Sequence, residues 1–400
     1  MKCYQVGGCV RDRIMGAPIH DRDWVVTGAT AEDMQAAGYH KVGRDFAVFL
    51  HPETGEEYAL ARSDHDPHRD TSLITIEDDL LSRDLTINAM AMDELGNILD
   101  PTGGRDDIKN KIIRHVGSAF ARDPVRVLRV ARFAARWPDF SVADETLDLM
   151  RLIGDEGRLQ DLQPERVWKE FVKALAENTP SRFFEVLRGA GVLNLVFPEI
   201  DALFGVPQVA VHHPEIDTGV HTMMVLDQAA KLSPDPVIRF QALVHDLGKA
   251  LTAEKDWPKH HGHEDLGVDI VKNLVRRLRG PKLYELRGVL TARFHGQVHK
   301  VKEMRAGKIL KLLEAAGAFK TSAHLDGLLL ASEADARGRL GFEDRDYPQP
   351  EFIRGAWAAA QKVTAQSLLD AGSLPGPALA EQLTQQRVRA IKRFIKTTNG

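Results

Sequence analysis

The chain has 400 residues, of which 43% are hydrophobic and 28% charged, and its formal net charge at pH 7 is −4. This composition is typical of a globular protein of two or three domains, and the small net charge excludes nucleic-acid binding through a global basic field. The chain has two cysteines, Cys3 and Cys9, which excludes a disulfide framework. It has no long apolar run, so neither a signal peptide nor a membrane span is predicted, and a cytoplasmic protein is expected.

The first hundred residues alternate short apolar runs with turn residues, which predicts a small sheet with interspersed helices. Strands are predicted over residues 23–27, 46–51 and 57–61. A helix is predicted over residues 31–37, with Thr30 as its N-cap and Asp33 three residues later. Residues 1–115 are therefore expected to form an α+β unit.

Helical periodicity dominates the rest of the chain. The predicted helices cover residues 123–137, 164–177, 180–191, 220–232, 237–247, 267–279, 283–294 and 378–396. The charged stretch 343–351, which contains Pro348 and Pro350, is predicted to be a surface connection. The last helix carries Arg387, Arg389, Lys392, Arg393 and Lys396. That basic surface is consistent either with a solvated face or with RNA contact.

Two aspartates, Asp21 and Asp23, stand at the start of a predicted strand and follow a Gly7-Gly8 turn. Residues i and i+2 of an extended segment project from the same face, so the two carboxylates should converge. Mg²⁺ prefers carboxylate oxygens together with substrate phosphates, and two such ions can clamp a phosphoryl displacement. The glycines would let a phosphate approach backbone N–H groups at a helix start. Each feature alone is equally consistent with surface acids or a plain turn.

The segment 123–137 places arginines on one helical face. Arg126, Arg129, Arg132 and Arg136 recur at spacings of three and four, and Val127, Val130, Ala131 and Ala134 take the opposite face. Guanidinium groups bind phosphates and base edges bidentately, which favours a nucleotide-binding face. The alternative is an ordinary amphipathic helix with a solvated basic side.

Three ordered motifs together resemble the class II tRNA nucleotidyltransferases, the CCA-adding enzymes, and their bacterial poly(A) polymerase relatives. They are Gly7-Gly8-Cys9-Val10-Arg11-Asp12 followed by Asp21-Arg22-Asp23, Arg83-Asp84-Leu85-Thr86-Ile87-Asn88-Ala89, and the segment 123–133. The resemblance implies a polymerase-β-like catalytic head of small sheet and helices at residues 1–115, followed by an all-α neck and body at 116–217.

The same resemblance assigns roles to individual residues. It implies that Asp21 and Asp23 are catalytic and hold Mg²⁺, and that Asp123 and Arg126 read the incoming base. It implies that the nucleotide is also bound by Gly8, Arg11, Arg83, Arg129 and Arg132. A carboxylate accepts from the exocyclic amino group that cytosine and adenine share, and an arginine donates to ring acceptors, whereas uracil and guanine present the wrong pattern.

The chain departs from the family pattern in three places. Arg122 stands where the family usually carries a glutamate, and Ser82 where a second arginine is common. The segment 62–77 is shorter than the family's flexible loop that helps switch specificity from C to A, which puts the efficiency of the final A addition in question. Asp64 in this segment is a candidate additional carboxylate.

A histidine-rich constellation occupies the second half of the chain. Its members are His221, His245-Asp246-Leu247-Gly248-Lys249, His260-His261-Gly262-His263-Glu264, His295, His299 and Asp335. On separate predicted helices, these residues resemble an HD phosphohydrolase domain, expected over residues 218–340. The resemblance implies that a metal is held by His221, His245, Asp246 and Asp335.

Histidine ligands suit Ni²⁺ or another transition metal better than Mg²⁺. Such an ion could support hydrolysis of a phosphomonoester or a cyclic phosphodiester. His263, His295 and His299 could serve a second metal or a substrate phosphate. The alternative is an HD fold that is kept only as a scaffold.

The resemblance implies a CCA-adding enzyme that extends the tRNA 3′ end with CTP and ATP and releases pyrophosphate. Its HD domain would add phosphatase and 2′,3′-cyclic phosphodiesterase activity for 3′-end repair, and residues 341–400 would form a helical tail. One alternative is a poly(A) polymerase, although these commonly have a long basic C-terminal extension and no intact His-Asp cluster. The other is a metal-dependent phosphohydrolase with an inactive head. No membrane partner is expected, and monomer or homodimer is left open.

Overall fold

The computed structural model describes residues 1–19, 21–42, 48–63, 70–211, 213–372 and 376–398. Within these ranges the strands are β1 (Lys2–Val6), β2 (Asp23–Thr27), β3 (His40–Val42), β4 (Val48–Leu50), β5 (Glu57–Leu60), β6 (Ala91–Met92), β7 (Ile98–Leu99), β8 (Ile112–Ile113) and β9 (Ser141–Val142). The helices of the first half are α1 (Gly8–Ile14), α2 (Ala31–Ala36), α3 (Ile76–Leu81), α4 (Gly104–Asn110), α5 (Val125–Arg136), α6 (Asp144–Asp155), α7 (Pro164–Ala176), α8 (Ser181–Gly189), α9 (Leu193–Val196) and α10 (Pro198–Asp201). The helices of the second half are α11 (Thr218–Leu232), α12 (Pro236–Val244), α13 (His263–Arg277), α14 (Lys282–His299), α15 (Ala306–Ala315), α16 (Ala323–Arg337), α17 (Gln349–Gln361), α18 (Ala365–Asp370) and α19 (Pro377–Thr398).

The predicted α+β head and helical remainder are confirmed. Strands β2 and β5 form where the alternation predicts them, and α2 begins with the predicted capping box, in which Thr30 and Asp33 satisfy each other's backbone N–H groups. Of the strand predicted over 46–51, β4 covers the middle, and residues 46 and 47 lie outside the described part of the chain. None of the described helices combines the length and apolar character of a membrane span.

Strands β1 to β7 form a mixed sheet in the order β3-β4-β5-β2-β1-β6-β7. Strands β2 and β5 pair in parallel, with Asp23 opposite Glu57, and the other neighbours are antiparallel. Val25 and Val26 are buried in different apolar clusters, because successive side chains of a strand point to opposite faces. Both sheet faces are therefore covered, and the polar start of β2 lies at the sheet edge.

The chain divides into two compact units. The first comprises Met1–Leu162 and Arg182–Leu195, and the second comprises Gln163–Ser181 and Val196–Gly400. In the second unit, α14 to α17 and α19 share one apolar core that extends from Leu290 to Ile391. The terminal helix is thus part of a packed helical body.

Several predicted boundaries in the second unit are wrong by a few residues. Helix α13 begins at His263 instead of residue 267, because Glu264 and Asp265 supply favourable negative charge in its first turn. Helix α14 continues to His299 instead of stopping at 294, and it buries His295 and Val298. The connection predicted over 343–351 ends earlier, because Pro350 occupies the first turn of α17, where proline is tolerated.

Candidate catalytic centres

The two aspartates of the first motif line one cavity at the edge of the sheet. Asp21 and Asp23 share it with Glu57, and its volume is about 730 Å³. Glu57 was not predicted as a site residue. It opens β5, and only the parallel pairing of β5 with β2 brings it opposite Asp23. Glu56 also lines the cavity, which therefore holds four carboxylates where the sequence indicates two.

The electrostatics of this cavity favour a bound cation. Partial burial raises the pKa of Asp23, the nearby Arg83 guanidinium lowers it, and the negative charge of Asp21 raises it again. Two neighbouring carboxylates repel each other unless a cation lies between them. An all-carboxylate donor set fits Mg²⁺, which takes one or two protein carboxylates and leaves its remaining positions for phosphates and water.

Gly7 places the backbone of the first motif against the second motif. Its φ of +69° is a conformation that glycine adopts without strain, and a Cβ at this position would lie 2.9 Å from Nη1 of Arg83. Gly8 begins α1 with an ordinary backbone conformation, and a Cβ there would be 3.4 Å from the Arg11 guanidinium. A side chain should therefore be tolerated less well at position 7 than at position 8.

We expect Gly7→Ala to destabilise the head by about 1–2 kcal/mol and to lower nucleotide addition about tenfold, because the side chain adds left-handed strain and displaces Arg83. Gly8→Ala is the matched control for stability alone, because Gly8 is itself predicted to bind the nucleotide, and it should change stability by less than about 0.5 kcal/mol. Urea unfolding and initial rates with CTP measure the two effects. An equal loss of stability in both variants would contradict the requirement for glycine at position 7.

Direct contacts join the three motifs of the head. Nη1 of Arg11 donates to Oδ1 of Asn88 at 2.6 Å, which joins the first motif to the second. Asp84 accepts from Arg129 at 2.7 Å, which joins the second motif to α5. The Arg11 guanidinium also lies 4.7 Å from the centroid of the Trp137 ring, directly after α5. The structure thus brings together segments that are far apart in sequence.

The arginine face of α5 is not a solvated basic surface. Arg126 and Arg132 are buried, so that alternative is wrong for these two residues. The Arg126 guanidinium donates to the carbonyl oxygens of Ser82 at 2.9 Å and Ala119 at 3.0 Å. Arg132 lies over the Phe133 ring, 4.5 Å from its centroid. Burial of two guanidinium groups is costly unless they are bound, so both are fixed in place.

Two further predictions concern the surroundings of α5 and the short segment after β5. Asp123 stands just before α5, and its carboxylate accepts from the Val125 N–H at 3.3 Å. Asp64, the candidate additional carboxylate, lies outside the described residues, as do residues 65–69 of the short segment. Its role stays a prediction.

The four predicted HD ligands lie together in the second unit. His221 belongs to α11, His245 and Asp246 follow α12 directly, and Asp335 lies near the end of α16; all four are buried. Nε2 of His221 is 3.2 Å from Oδ1 of Asp335. Nε2 of His245 is 3.0 Å from Oδ2 of Asp246 and 3.9 Å from Oδ2 of Asp335. The separate helices thus present nitrogen and oxygen donors to one point.

This donor set fits a transition metal. His221, His245 and Asp246 offer ligand atoms within 4.8 Å of one another. Among the described residues, Nε2 of His245 and Oδ1 of Asp246 are buried without a well-aligned hydrogen bond, although imidazole and carboxylate atoms lie within ion-pair distance of them. Burial alone would raise the pKa of Asp246, but His245 and Lys249 lower it well below its usual range. Buried imidazole and ionised carboxylate atoms without well-aligned hydrogen bonds are what a borderline divalent ion requires.

The remaining histidines of the constellation separate into different groups. His263 and His295 place their Nε2 atoms 3.3 and 3.4 Å from Oδ1 of Asp246, and these three residues form a second cluster of metal-ligating type. His299 does not join that cluster. Its Nε2 lies 2.6 Å from Oδ2 of Asp335, and its Nδ1 accepts from the Tyr347 hydroxyl at 2.8 Å. His299 therefore orients a predicted ligand.

Several polar residues around the HD ligands were not predicted. Oε1 of Glu215 lies 2.9 Å from Nδ1 of His221, and the pKa of Glu215 is lowered to about 2 because hydrogen bonds and charge from His221 outweigh the effect of burial. Lys249 and Arg339 form ion pairs with Asp246 at 2.6 Å and Asp335 at 3.2 Å. Lys249 lies within the His-Asp-Leu-Gly-Lys run, so its three-residue spacing from Asp246 was a usable signal.

A cavity of about 520 Å³ opens onto these groups and is lined by Asp246, His263, His295, Asp335 and Arg339 among others. His260 is buried beside it, bound to Thr252 and to the Pro207 carbonyl oxygen, whereas His261 is exposed. A volume of this size is within the range of small-ligand sites.

Three family models match the chain. A poly(A) polymerase head domain matches residues 3–114, a probable RNA and SrmB-binding site of polymerase A matches residues 139–204, and an HD domain matches residues 218–312. The first of these ranges contains the cavity lined by Asp21 and Asp23. The last contains His221, His245 and Asp246 but ends before Asp335.

Curated relatives match over the full length. The multifunctional CCA proteins of Thioalkalivibrio sulfidiphilus and Nitrosococcus oceani are each 52% identical over 411 residues and cover 100% of both chains. That of Pseudomonas fluorescens is 50% identical over 404 residues and covers 98% of each chain.

Solved structures share the fold. The CCA-adding enzyme of Bacillus stearothermophilus in complex with CTP matches with a TM-score of 0.66 and 23% identity, covering 98% of this chain and 89% of that one. The Thermotoga maritima CCA-adding enzyme complexed with tRNA-CCA matches with a TM-score of 0.61 and 20% identity, covering 99% and 91%.

Proposed function

Because the chain belongs to the family of multifunctional CCA proteins, we propose that it adds CCA to the 3′ end of tRNA without a template, using CTP and ATP. The observation that carries this proposal is the 52% sequence identity to these relatives over the full length of the chain. In addition, all three nucleotidyltransferase motifs are in contact within one unit. Residues 1–115 would act as the catalytic head and 116–217 as the neck and body.

The head would transfer a nucleotidyl group in one displacement. The RNA 3′-hydroxyl oxygen forms a bond to the α-phosphorus, the bond from that phosphorus to the bridging oxygen breaks, and pyrophosphate leaves. Asp21 and Asp23 would hold Mg²⁺, which supplies charge stabilisation for the phosphates when bound. Glu57 lines the same cavity and would add a further oxygen donor. Gly8, Arg11, Arg83, Arg129 and Arg132 would hold the triphosphate and sugar.

Base choice would depend on Asp123 and Arg126. The buried Arg126 guanidinium is fixed by backbone carbonyls, so its orientation is set before a nucleotide arrives. A fixed donor next to a carboxylate acceptor discriminates by hydrogen-bond pattern, because a wrong base leaves polar groups unpaired. This arrangement would accept C and A and reject U and G.

We expect Asp123→Ala to reduce the preference for CTP over UTP by about tenfold, since one lost acceptor is worth on the order of 1–2 kcal/mol. Asp155→Ala, at an exposed position on α6, is the matched control and should leave the preference unchanged. Single-nucleotide incorporation with each NTP in turn measures the ratio. An unchanged ratio in Asp123→Ala would remove Asp123 from base selection.

For the second unit, metal-dependent phosphatase and 2′,3′-cyclic phosphodiesterase activity is the function that the buried His-Asp group favours. His221, His245, Asp246 and Asp335 would hold Ni²⁺ or another transition metal, which supplies Lewis acidity when bound. Lys249 and Arg339 hold the two carboxylates in place, and the adjacent cavity has room for a nucleotide-sized phosphate ester. Residues 218–340 would form this HD domain and 341–400 the helical tail.

One assay separates this proposal from its alternatives. The protein is incubated with tRNA transcripts that end before CCA, Mg²⁺ and all four NTPs, and the 3′ ends are sequenced. A defined CCA end is the expected result. A long A tail would instead identify a poly(A) polymerase, and no extension with intact hydrolysis would identify a phosphohydrolase with an inactive head.

A further inference from the structure

A second groove lies directly beside the HD cavity in the same unit. Its volume is about 700 Å³, and it is lined by residues of α13, α14 and α15 and the turn between the last two. Three residues, Glu264, Gly296 and Lys300, line both the groove and the HD cavity. The two spaces are therefore adjacent along α14.

The groove carries a row of positive charge. Lys308 and Lys311 are exposed and lie three residues apart on α15, so they share one helical face. Lys300 follows α14 at the junction with the HD cavity. Among the described residues, no carboxylate forms an ion pair with any of these three lysines, whereas Arg293 on the groove wall is paired with Asp265 at 3.0 Å.

Gly296 keeps the junction open. A Cβ at this position would lie only 3.1 Å from Oε1 of Glu264, which lines the same junction from α13. Because Gly296 has no side chain, the space beside Glu264 at this junction can be occupied by a ligand. A ligand that enters the HD cavity can extend past Gly296 towards Lys308 and Lys311.

We propose that this groove binds the backbone phosphates of a single RNA strand whose 3′-terminal nucleotide lies in the HD cavity. Lysines spaced along a groove neutralise consecutive phosphates without reading sequence. The HD substrate would thus be the phosphorylated or cyclised 3′ end of an RNA and not a free nucleotide. This inference rests on the hydrolase activity proposed above and specifies its substrate class.

The test compares two substrates of the same terminal chemistry: 2′,3′-cyclic AMP and a tRNA transcript that ends in a 2′,3′-cyclic phosphate. For the full-length Lys308→Ala/Lys311→Ala variant with Ni²⁺, we expect kcat/KM on the tRNA to fall about tenfold at about 0.1 M salt. On the mononucleotide it should change less than about twofold. The slope of log kcat/KM against log salt for the tRNA should become shallower by about 1.4, at about 0.7 per lost phosphate contact.

A control variant and a second readout make the result decisive. Lys255→Ala/Lys362→Ala removes two exposed lysines that line neither space, and it should leave both substrates unchanged. An equal effect of the groove variant on both substrates, or none on the tRNA, would overturn the proposal.

If the wild-type protein hydrolyses neither substrate, the hydrolase proposal fails and photo-crosslinking decides the groove. A tRNA with a photoreactive nucleotide three positions from its 3′ end should crosslink to peptides from residues 293–311. That crosslink should be lost in Lys308→Ala/Lys311→Ala. Crosslinks confined to other peptides would overturn the groove as an RNA site.

Discussion

Asp23→Asn and Asp21→Asn are each expected to lower nucleotide addition by about a thousandfold or more. Each substitution keeps the shape of the side chain but removes a negative charge from the cavity that is proposed to bind Mg²⁺. Charge stabilisation by a bound cation is worth several kcal/mol in such a transfer, and each 1.36 kcal/mol is a factor of ten in rate. Initial rates of labelled CTP incorporation into tRNA that lacks CCA measure the loss.

One control is a glutamate of the same cavity, and the other is the hydrolytic activity of the second unit. Glu56→Gln changes a neighbouring carboxylate that instead accepts from Nε1 of Trp24 at 3.2 Å, and it should retain activity within about threefold. Glu57→Gln changes the other glutamate of the cavity, and its rate of nucleotide addition should lie between that of Glu56→Gln and those of the two aspartate variants. Hydrolysis by the HD unit should be unaffected in every variant. A folded Asp23→Asn protein with near-normal incorporation would exclude the proposed metal site.

The sequence predicted features that depend on near neighbours. The two-residue repeat of an extended segment predicted that Asp21 and Asp23 converge, and both line one cavity, although β2 begins only at Asp23. The N-cap at Thr30 follows from a local hydrogen-bond pattern. The amphipathic pattern of α5 was equally visible. Four HD ligands on separate helices were placed only through the resemblance of their motifs, since spacing alone does not bring His221 to Asp335.

What the sequence did not predict depends on pairings between distant segments. Glu57 joins the cavity only because β5 pairs in parallel with β2, and no local pattern specifies that neighbour. Arg126 was predicted to lie on a nucleotide-binding face, with a solvated face as the alternative, and neither interpretation indicates that a carbonyl 44 residues away accepts from it. Tyr347 lies in a stretch predicted to be a surface connection, and its hydroxyl donates to His299, 48 residues earlier. Such contacts are set by tertiary packing.

The second large effect is expected from a substitution among the predicted HD ligands. We expect His245→Ala to abolish Ni²⁺-stimulated hydrolysis of a 2′,3′-cyclic phosphate, with a loss of about a hundredfold or more, and to lower Ni²⁺ affinity by a similar factor. The reason is that His245 supplies a buried nitrogen without a well-aligned hydrogen bond among the described residues, next to the ionised Asp246 and Asp335. Steady-state hydrolysis and calorimetric Ni²⁺ titration measure the two quantities.

His261→Ala is the matched control for His245→Ala, because His261 belongs to the same histidine-rich constellation but is exposed. It should leave hydrolysis, Ni²⁺ binding and CCA addition unchanged. CCA addition should also survive His245→Ala within about twofold, since the head motifs lie in the other compact unit. Retained hydrolysis in His245→Ala would refute the ligand assignment. A simultaneous loss of both activities would show instead that His245 is needed for the fold, and Ni²⁺ titration of Asp246→Asn would then decide whether the buried group binds metal.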